Sequence, residues 1–180
     1  MIYVFLADGF ETVEALAPVD VMRRAGLDVS TVSIKEEKEV KSKQGIPVLA
    51  DITIDEVDES KAEMLMLPGG LPGADNLFAC EKLKNMLVSA NENGKYIAAI
   101  CAEPYILGQL GLLKGKKATC YPGFEDKLIG AETTGMRVVR DQNVLTGIGM
   151  GAAVEFGLEA VAIFAGEEVK EKISTGIIQK

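Results

Sequence analysis

The sequence contains no histidine and no tryptophan, and only three cysteines among its 180 residues. Without histidine there is no imidazole for a Cys-His-acid triad and none for a mixed Cys/His zinc site. Cys80, Cys101 and Cys120 are an odd number with no CxxC spacing, so neither a disulfide framework nor a metal site is expected, and reduced thiols follow. Basic residues are also scarce, with 19 Lys and Arg against 27 Asp and Glu and a formal net charge of −8. The cations are scattered rather than gathered into a stripe, which excludes a phosphate backbone as an expected partner and with it nucleic acid. No apolar run approaches the ~20 residues of a membrane helix. Met1 to Asp8 lacks the basic start of a secretory leader, so a soluble, cytoplasmic protein with no membrane partner is expected.

What is present is apolar sequence in evenly spaced blocks, 48% of the chain, enough for one well-filled core and one domain over residues 1–180. Tyr3 to Ala7 reads as a strand, followed by Asp8-Gly9 and a helical pattern from Val13 through Ala25 that ends at Gly26. Val29 to Ile34 is a second strand, and the polar stretch from Lys35 to Gln44 a hairpin or exposed connection on the periphery. Glu63 to Leu67 is a continuous apolar strand that stops at Pro68-Gly69-Gly70. A helix from Cys80 to Asn91 precedes the strand Tyr96 to Ile100, and Pro104 opens a helix running to about Leu110. Lys117 to Tyr121, Arg137 to Val139 and Val144 to Thr146 read as further strands, and Ala152 to Ala165 as a closing helix. Strands alternating with helices predict an α/β fold, a mostly parallel sheet covered on both faces. Such sheets bind ligands beyond the carboxyl ends of their strands, which singles out three loops: Asp8 to Glu14, Pro68 to Gly73 and Cys101 to Pro104.

Cys101 stands where a strand turns into a helix. A sharp turn of this kind is a nucleophile elbow, holding its side chain clear of the backbone, and the first N–H groups of the helix favour negative charge beside it. The placement predicts a thiol made easier to ionise, and the thiolate is the nucleophilic form. The alternative for this residue is a small buried packing group beside Ala99 and Ile100.

Ala99-Ile100-Cys101-Ala102-Glu103-Pro104 resembles the AICAGP elbow of the DJ-1/ThiJ/PfpI superfamily. Three more segments resemble that family in order along the chain. They are Glu14 to Asp20 for its acidic early helix, Leu67-Pro68-Gly69-Gly70 for its LPGG loop, and Thr119 to Pro122 for its THP-like segment. The resemblance implies a flavodoxin-like three-layer sandwich, a homodimer, and a site without metal or organic cofactor. Cys101 would be the reactive thiol, Glu14 its carboxyl partner, and the backbone N–H groups near Gly70 and Ala102 an oxyanion hole. Gly69, Glu103 and Tyr121 are further pocket candidates. A carboxyl held against a thiolate in a partly dry pocket stays protonated and can donate to sulfur, then move a proton during turnover. The activity this implies is cysteine-dependent chemistry on small reactive carbonyls, of glyoxalase or protein deglycase type. The alternative is a redox-sensing or stress-protective protein whose cysteine is oxidised to sulfinate with little turnover. A link to thiamine-precursor metabolism, suggested by the ThiJ name, has no residue behind it.

The chain departs from the family pattern in two places. Tyr121 stands where many relatives carry histidine, and Ala102 where protease relatives do, so glutamine amide hydrolysis and proteolysis are not expected. Glu103 replaces a small residue. Favourable placement in the first helical turn predicts that it faces solvent; the alternative brings a second carboxyl into the pocket, raising the thiol and narrowing the site. Gly147-Ile148-Gly149-Met150-Gly151 reads as a tight turn packing a helix close to the sheet, with anion binding the alternative. Cys120 reads as a packing thiol at a strand end and Cys80 as partly exposed. Tyr121 either donates into the pocket or covers the sheet edge.

Overall fold

The first strand shows how the layers arise. In β1 (Ile2–Leu6) every residue is buried, yet successive side chains point to opposite faces. Tyr3 and Phe5 enter one core, and Ile2, Val4 and Leu6 another. A strand that is apolar on both faces needs helices above and below it. The computed structural model describes residues 1–179 and supplies both layers.

After β1 come α1 (Thr12–Arg24), β2 (Val29–Ser33), a hairpin of β3 (Glu39–Lys41) and β4 (Pro47–Leu49), β5 (Ile52–Thr53) and β6 (Met64–Leu67). Next are α2 (Gly73–Ala79), α3 (Glu81–Glu92), β7 (Tyr96–Ile100), α4 (Pro104–Gln109), β8 (Lys117–Ala118) and β9 (Glu132–Thr133). The chain closes with β10 (Val138–Asp141), β11 (Val144–Gly147), α5 (Ala153–Ala165) and α6 (Glu167–Gly176). The main sheet has seven strands in the order β10-β11-β7-β6-β1-β2-β5, parallel except for β10. This is the expected three-layer, flavodoxin-like sandwich. Leu77, Leu83, Leu87 and Ile106 of α2, α3 and α4 cover one face. Val19 and Met22 of α1 and Phe156 and Val161 of α5 cover the other.

The α1–α5 contact depends on Gly157, where a Cβ would lie 2.8 Å from the Cα of Pro18. Pro18 is inside α1 and offers no N–H to the carbonyl of Glu14 one turn earlier. Neighbouring strands diverge in direction of winding at β1 and β6, so the carboxyl ends of β1, β6 and β7 form the crevice where such sheets take ligands.

Two expectations need correction, and one helix is not foreseen from the sequence. Only Lys117 and Ala118 of the expected strand Lys117 to Tyr121 are extended, paired with β9 and outside the main sheet. The backbone beyond them is engaged elsewhere: the Thr119 N–H donates to the Thr146 hydroxyl and the Tyr121 N–H to the Cys101 carbonyl. The domain does not close at Ala165, because Gly166, at φ 88, turns the chain into α6. Val169, Ile173 and Ile177 of that last segment rest on the α1/α5 core. Finally, α2 is a seven-residue helix where the sequence shows no period long enough to reveal one.

Candidate active site

Three loops meet at the carboxyl ends of β1, β6 and β7, and their backbones interlock. A Cβ on Gly70, whose φ is 110, would lie 2.4 Å from the Glu11 nitrogen, and one on Gly73 would lie 2.8 Å from the Phe10 nitrogen. The Glu11 N–H donates to the Gly69 carbonyl at 2.6 Å, tying the start of α1 to the end of β6. Glu14, in the first turn of α1, is thereby delivered to the mouth of β7.

Cys101 has φ 68, a left-handed conformation that is costly for a residue with a Cβ. The strained turn is held from both sides. The Cys101 N–H donates to the Gly147 carbonyl at 2.9 Å, and its carbonyl accepts from the Tyr121 N–H at 2.7 Å. The expected elbow is therefore present, with Cys101 half-buried and lining the cleft.

Glu14 is 1% exposed. Its carboxyl contacts the Cys101 thiol and the backbone N–H groups of Gly69 and Met150, although Oε2 lacks a partner of strict hydrogen-bond geometry. Gly69 is what permits the contact: a Cβ there would lie 1.9 Å from Glu14 Oε2 and 2.6 Å from the Cβ of Cys101. Burial raises the Glu14 carboxyl to about 7, against the lowering effect of the thiol and backbone hydrogen bonds.

The thiol does not behave as the helix end alone predicts. Burial pushes Cys101 up, the Glu14 and then the Glu103 carboxyl push the same way, and the Ala102 N–H pulls down. The dipole of α4 is weak for a plain reason, since that helix has only six residues. Thiol and carboxyl thus form one coupled unit in which a proton on either group favours loss from the other. Transfer of the thiol proton to Glu14 would leave the net charge of the pair unchanged.

Glu103 is the second correction. Its expected solvent-facing position is not found: it is 0% exposed, and both carboxyl oxygens lack hydrogen-bond partners. Burial first, then the Glu14 carboxyl, raises it well above the usual carboxylate range. The carboxyl is within electrostatic reach of Cys101, Asp75 and Tyr105 without bonding to them.

Cys101, Glu14, Gly70, Ala102 and Tyr121 all line one cleft of about 340 Å³. Among the described residues the N–H groups of Gly70 and Ala102 donate to no backbone carbonyl; that of Ala102 reaches the Cys101 sulfur, and Gly70 lines the same cleft. Tyr121 is 52% exposed and forms part of the rim. Lys43, from the β3–β4 turn, reaches the same cleft, so the hairpin is less peripheral than its polarity implies. Leu71, Phe124 and Met150 complete the apolar wall. Sequence reasoning missed these four, although Leu71 and Met150 lie inside glycine-rich segments it had singled out. The 147–151 segment turns as expected, bringing Gly149 close enough that a Cβ would lie 3.8 Å from Glu14 Oε1 and 4.0 Å from Cys101 Sγ. Cys120 is buried and Cys80 half-buried, as read. Among the described residues no group of three or more metal-ligating side chains comes together.

Known proteins resemble this chain over nearly its whole length. The profile of the DJ-1/PfpI family matches residues 1–163. Protein DJ-1 homolog B of Arabidopsis thaliana is 37% identical over 177 residues, covering 97% of this chain and 40% of the relative, so the chain spans about two-fifths of that protein. Protein dj-1beta of Drosophila melanogaster is 33% identical, with 97% and 95% of the two chains covered. The solved structure of oxidized Toxoplasma gondii DJ-1 superposes with a TM-score of 0.93 at 34% identity, covering 98% of this chain and 97% of the other.

Proposed function

Because the chain belongs to the DJ-1/PfpI family, we propose that it is a cysteine-dependent enzyme acting on reactive carbonyl compounds, with no metal or organic cofactor. One observation carries this reading: a strained, partly exposed cysteine in contact with a buried carboxyl that titrates near neutrality, both opening on one cleft. In the thiolate form of the pair, Cys101 sulfur adds to the aldehyde carbon of a 2-oxoaldehyde. A C–S bond forms, and the oxygen takes the Glu14 proton while the Gly70 and Ala102 N–H groups hold it. Glu14, now a carboxylate, removes the hydrogen on that carbon and returns it to the neighbouring carbonyl carbon, the first hydroxyl proton passing to the second oxygen. The first carbon is oxidised to a thioester and the second reduced to an alcohol, so no outside oxidant is needed. Water then cleaves the C–S bond, releasing a 2-hydroxy acid and restoring the thiol. A glyoxal-modified protein amine enters the same addition step in the deglycase-type variant.

The proposal extends to a homodimer working in the cytoplasm. No helix among the described residues is long and apolar enough to cross a membrane. The second reading, an oxidisable stress-protective cysteine, is favoured by the partial exposure of Cys101 at the cleft. Methylglyoxal consumption by the wild-type protein and by Cys101→Ser decides between them. Loss of consumption in the variant is expected; equal rates reject the enzyme.

A further inference from the structure

The cleft at Cys101 does not end at its apolar wall. Leu71 and Phe124 also line a neighbouring groove of about 550 Å³ that runs between α2 and α4. Its floor is aromatic. Phe78 and Tyr105 have ring centroids 5.5 Å apart, Tyr105 and Phe124 are 6.4 Å apart, and the Lys127 ammonium sits 4.5 Å from the Phe124 centroid. Leu71 is 42% exposed at the ridge the two spaces share. The other side of the cleft is polar, with Glu11 and Lys43. Asp75 and Lys127 also line the groove, one charge of each sign, with the Lys127 ammonium lying over the Phe124 ring, so no net charge is selected there.

We propose that Leu71, Phe124 and the aromatic floor beyond them form a subsite for a neutral aryl or branched apolar substituent of the carbonyl substrate. A substrate carbonyl carbon at Cys101 Sγ, with its oxygen toward the Gly70 and Ala102 N–H groups, has its second substituent left to place. Toward Glu11 and Lys43 an apolar group would dry charged side chains; toward Leu71 and Phe124 it removes exposed apolar surface on both partners. Aromatic rings add edge-to-face contacts that a methyl group lacks. The subsite names a substrate class for the proposed reaction, aryl and bulky 2-oxoaldehydes over methylglyoxal, and rests on that reading only for its chemistry.

The test needs thiol reactivity alone. Phenacyl bromide and bromoacetone carry the same electrophilic carbon beside a ketone and differ in a phenyl for a methyl group. Their alkylation rates at Cys101 are measured by peptide mass spectrometry, with glutathione as the reference thiol. The phenacyl-to-acetonyl ratio at Cys101 is expected to exceed that of glutathione by about tenfold, the scale of apolar pocket discrimination. Phe124→Ala and Leu71→Ala should each lower the ratio at least about threefold by the same reasoning, whatever they do to either rate alone. A wild-type ratio equal to that of glutathione, or a ratio that neither variant moves, overturns the subsite. Turnover of phenylglyoxal and methylglyoxal separates the two ideas. A raised ratio with neither compound consumed rejects the enzyme and keeps the subsite, and consumption of both without a raised ratio rejects the subsite alone.

Discussion

Glu103→Gln should change how the stability of this protein depends on pH. In the folded chain the Glu103 carboxyl is fully buried with no partner on either oxygen, and burial raises it well above its ordinary value of 4.5. In the unfolded chain it ionises normally. Between those two points the native state therefore holds one proton more than the unfolded state, and stability falls as pH rises. The slope from one such group is about 1.4 kcal/mol per pH unit, full stability being present below pH 4.5 and the loss ending at the folded value. Glu14, raised to about 7, adds a loss of the same sign over pH 4.5 to 7, amounting to about 3 kcal/mol. Asp8 and Asp51 are lowered, so their contributions are lost only as pH falls through the acid range, and they are common to both proteins.

Glutamine keeps the shape and never ionises, so it removes one of the two slopes. Urea unfolding at pH 5, 6 and 7 reads the difference directly: the variant should gain on the wild type as pH rises, by up to about 1.4 kcal/mol for each unit that lies below the folded value of Glu103. Glutamine also buries an amide without partners, which offsets the variant's curve by a constant and leaves its slope untouched. Parallel stability curves for the two proteins would show that Glu103 titrates alike folded and unfolded, and would refute its burial as a neutral acid.

Glu14→Gln should remove the pH inflection of the thiol. Iodoacetamide labelling of Cys101 is expected to fall as pH drops through about 7, where the pair takes up its second proton, and the variant should lack that step. Under the proposed reaction the same variant loses about 10²- to 10⁴-fold in methylglyoxal turnover, read from initial rates. Gly69→Ala forces the Glu14 carboxyl away, because the new methyl would stand 1.9 Å from Oε2. It should abolish the labelling step near pH 7 and cost about 1–3 kcal/mol of stability, the scale of an overpacked core.

The strands that carry the site are plain in the sequence because each is a short apolar block closed by a breaker. Leu67 ends at Pro68-Gly69-Gly70 and Ile100 at the Cys101 turn. The elbow itself follows from that junction. What periodicity does not reveal is decided by tertiary contact. The Thr119 to Tyr121 backbone follows side chains and the elbow instead of a ladder. Glu103 is hidden because helix-dipole reasoning weighs only its own turn, whereas the packed surroundings exclude water from it. The thiol is misjudged for a related reason: sequence shows the helix N–H groups that favour the thiolate, but not the desolvation that opposes it most, nor which of its two placements Glu103 takes. Leu71 and Phe124 become neighbours across the cleft only when three loops close together.

The missing histidine leaves proton handling at this site to carboxyls, and that constrains which cysteine chemistry it can sustain. A sulfinate is a lasting anion. Formed at Cys101, it would share a dry site with Glu14 and Glu103, while Lys43 is the one cation lining the cleft among the described residues. Both carboxyls would have to remain protonated for as long as the oxidised form persisted. Carbonyl addition makes no such demand. The thiolate is neutralised as its C–S bond forms, the proton that Glu14 gives up is returned within the same cycle, and the pair never carries more than one negative charge. Under the proposed reaction Glu14, which lines the cleft with Cys101, passes a single proton back and forth, while the fully buried Glu103 stands outside the cleft lining.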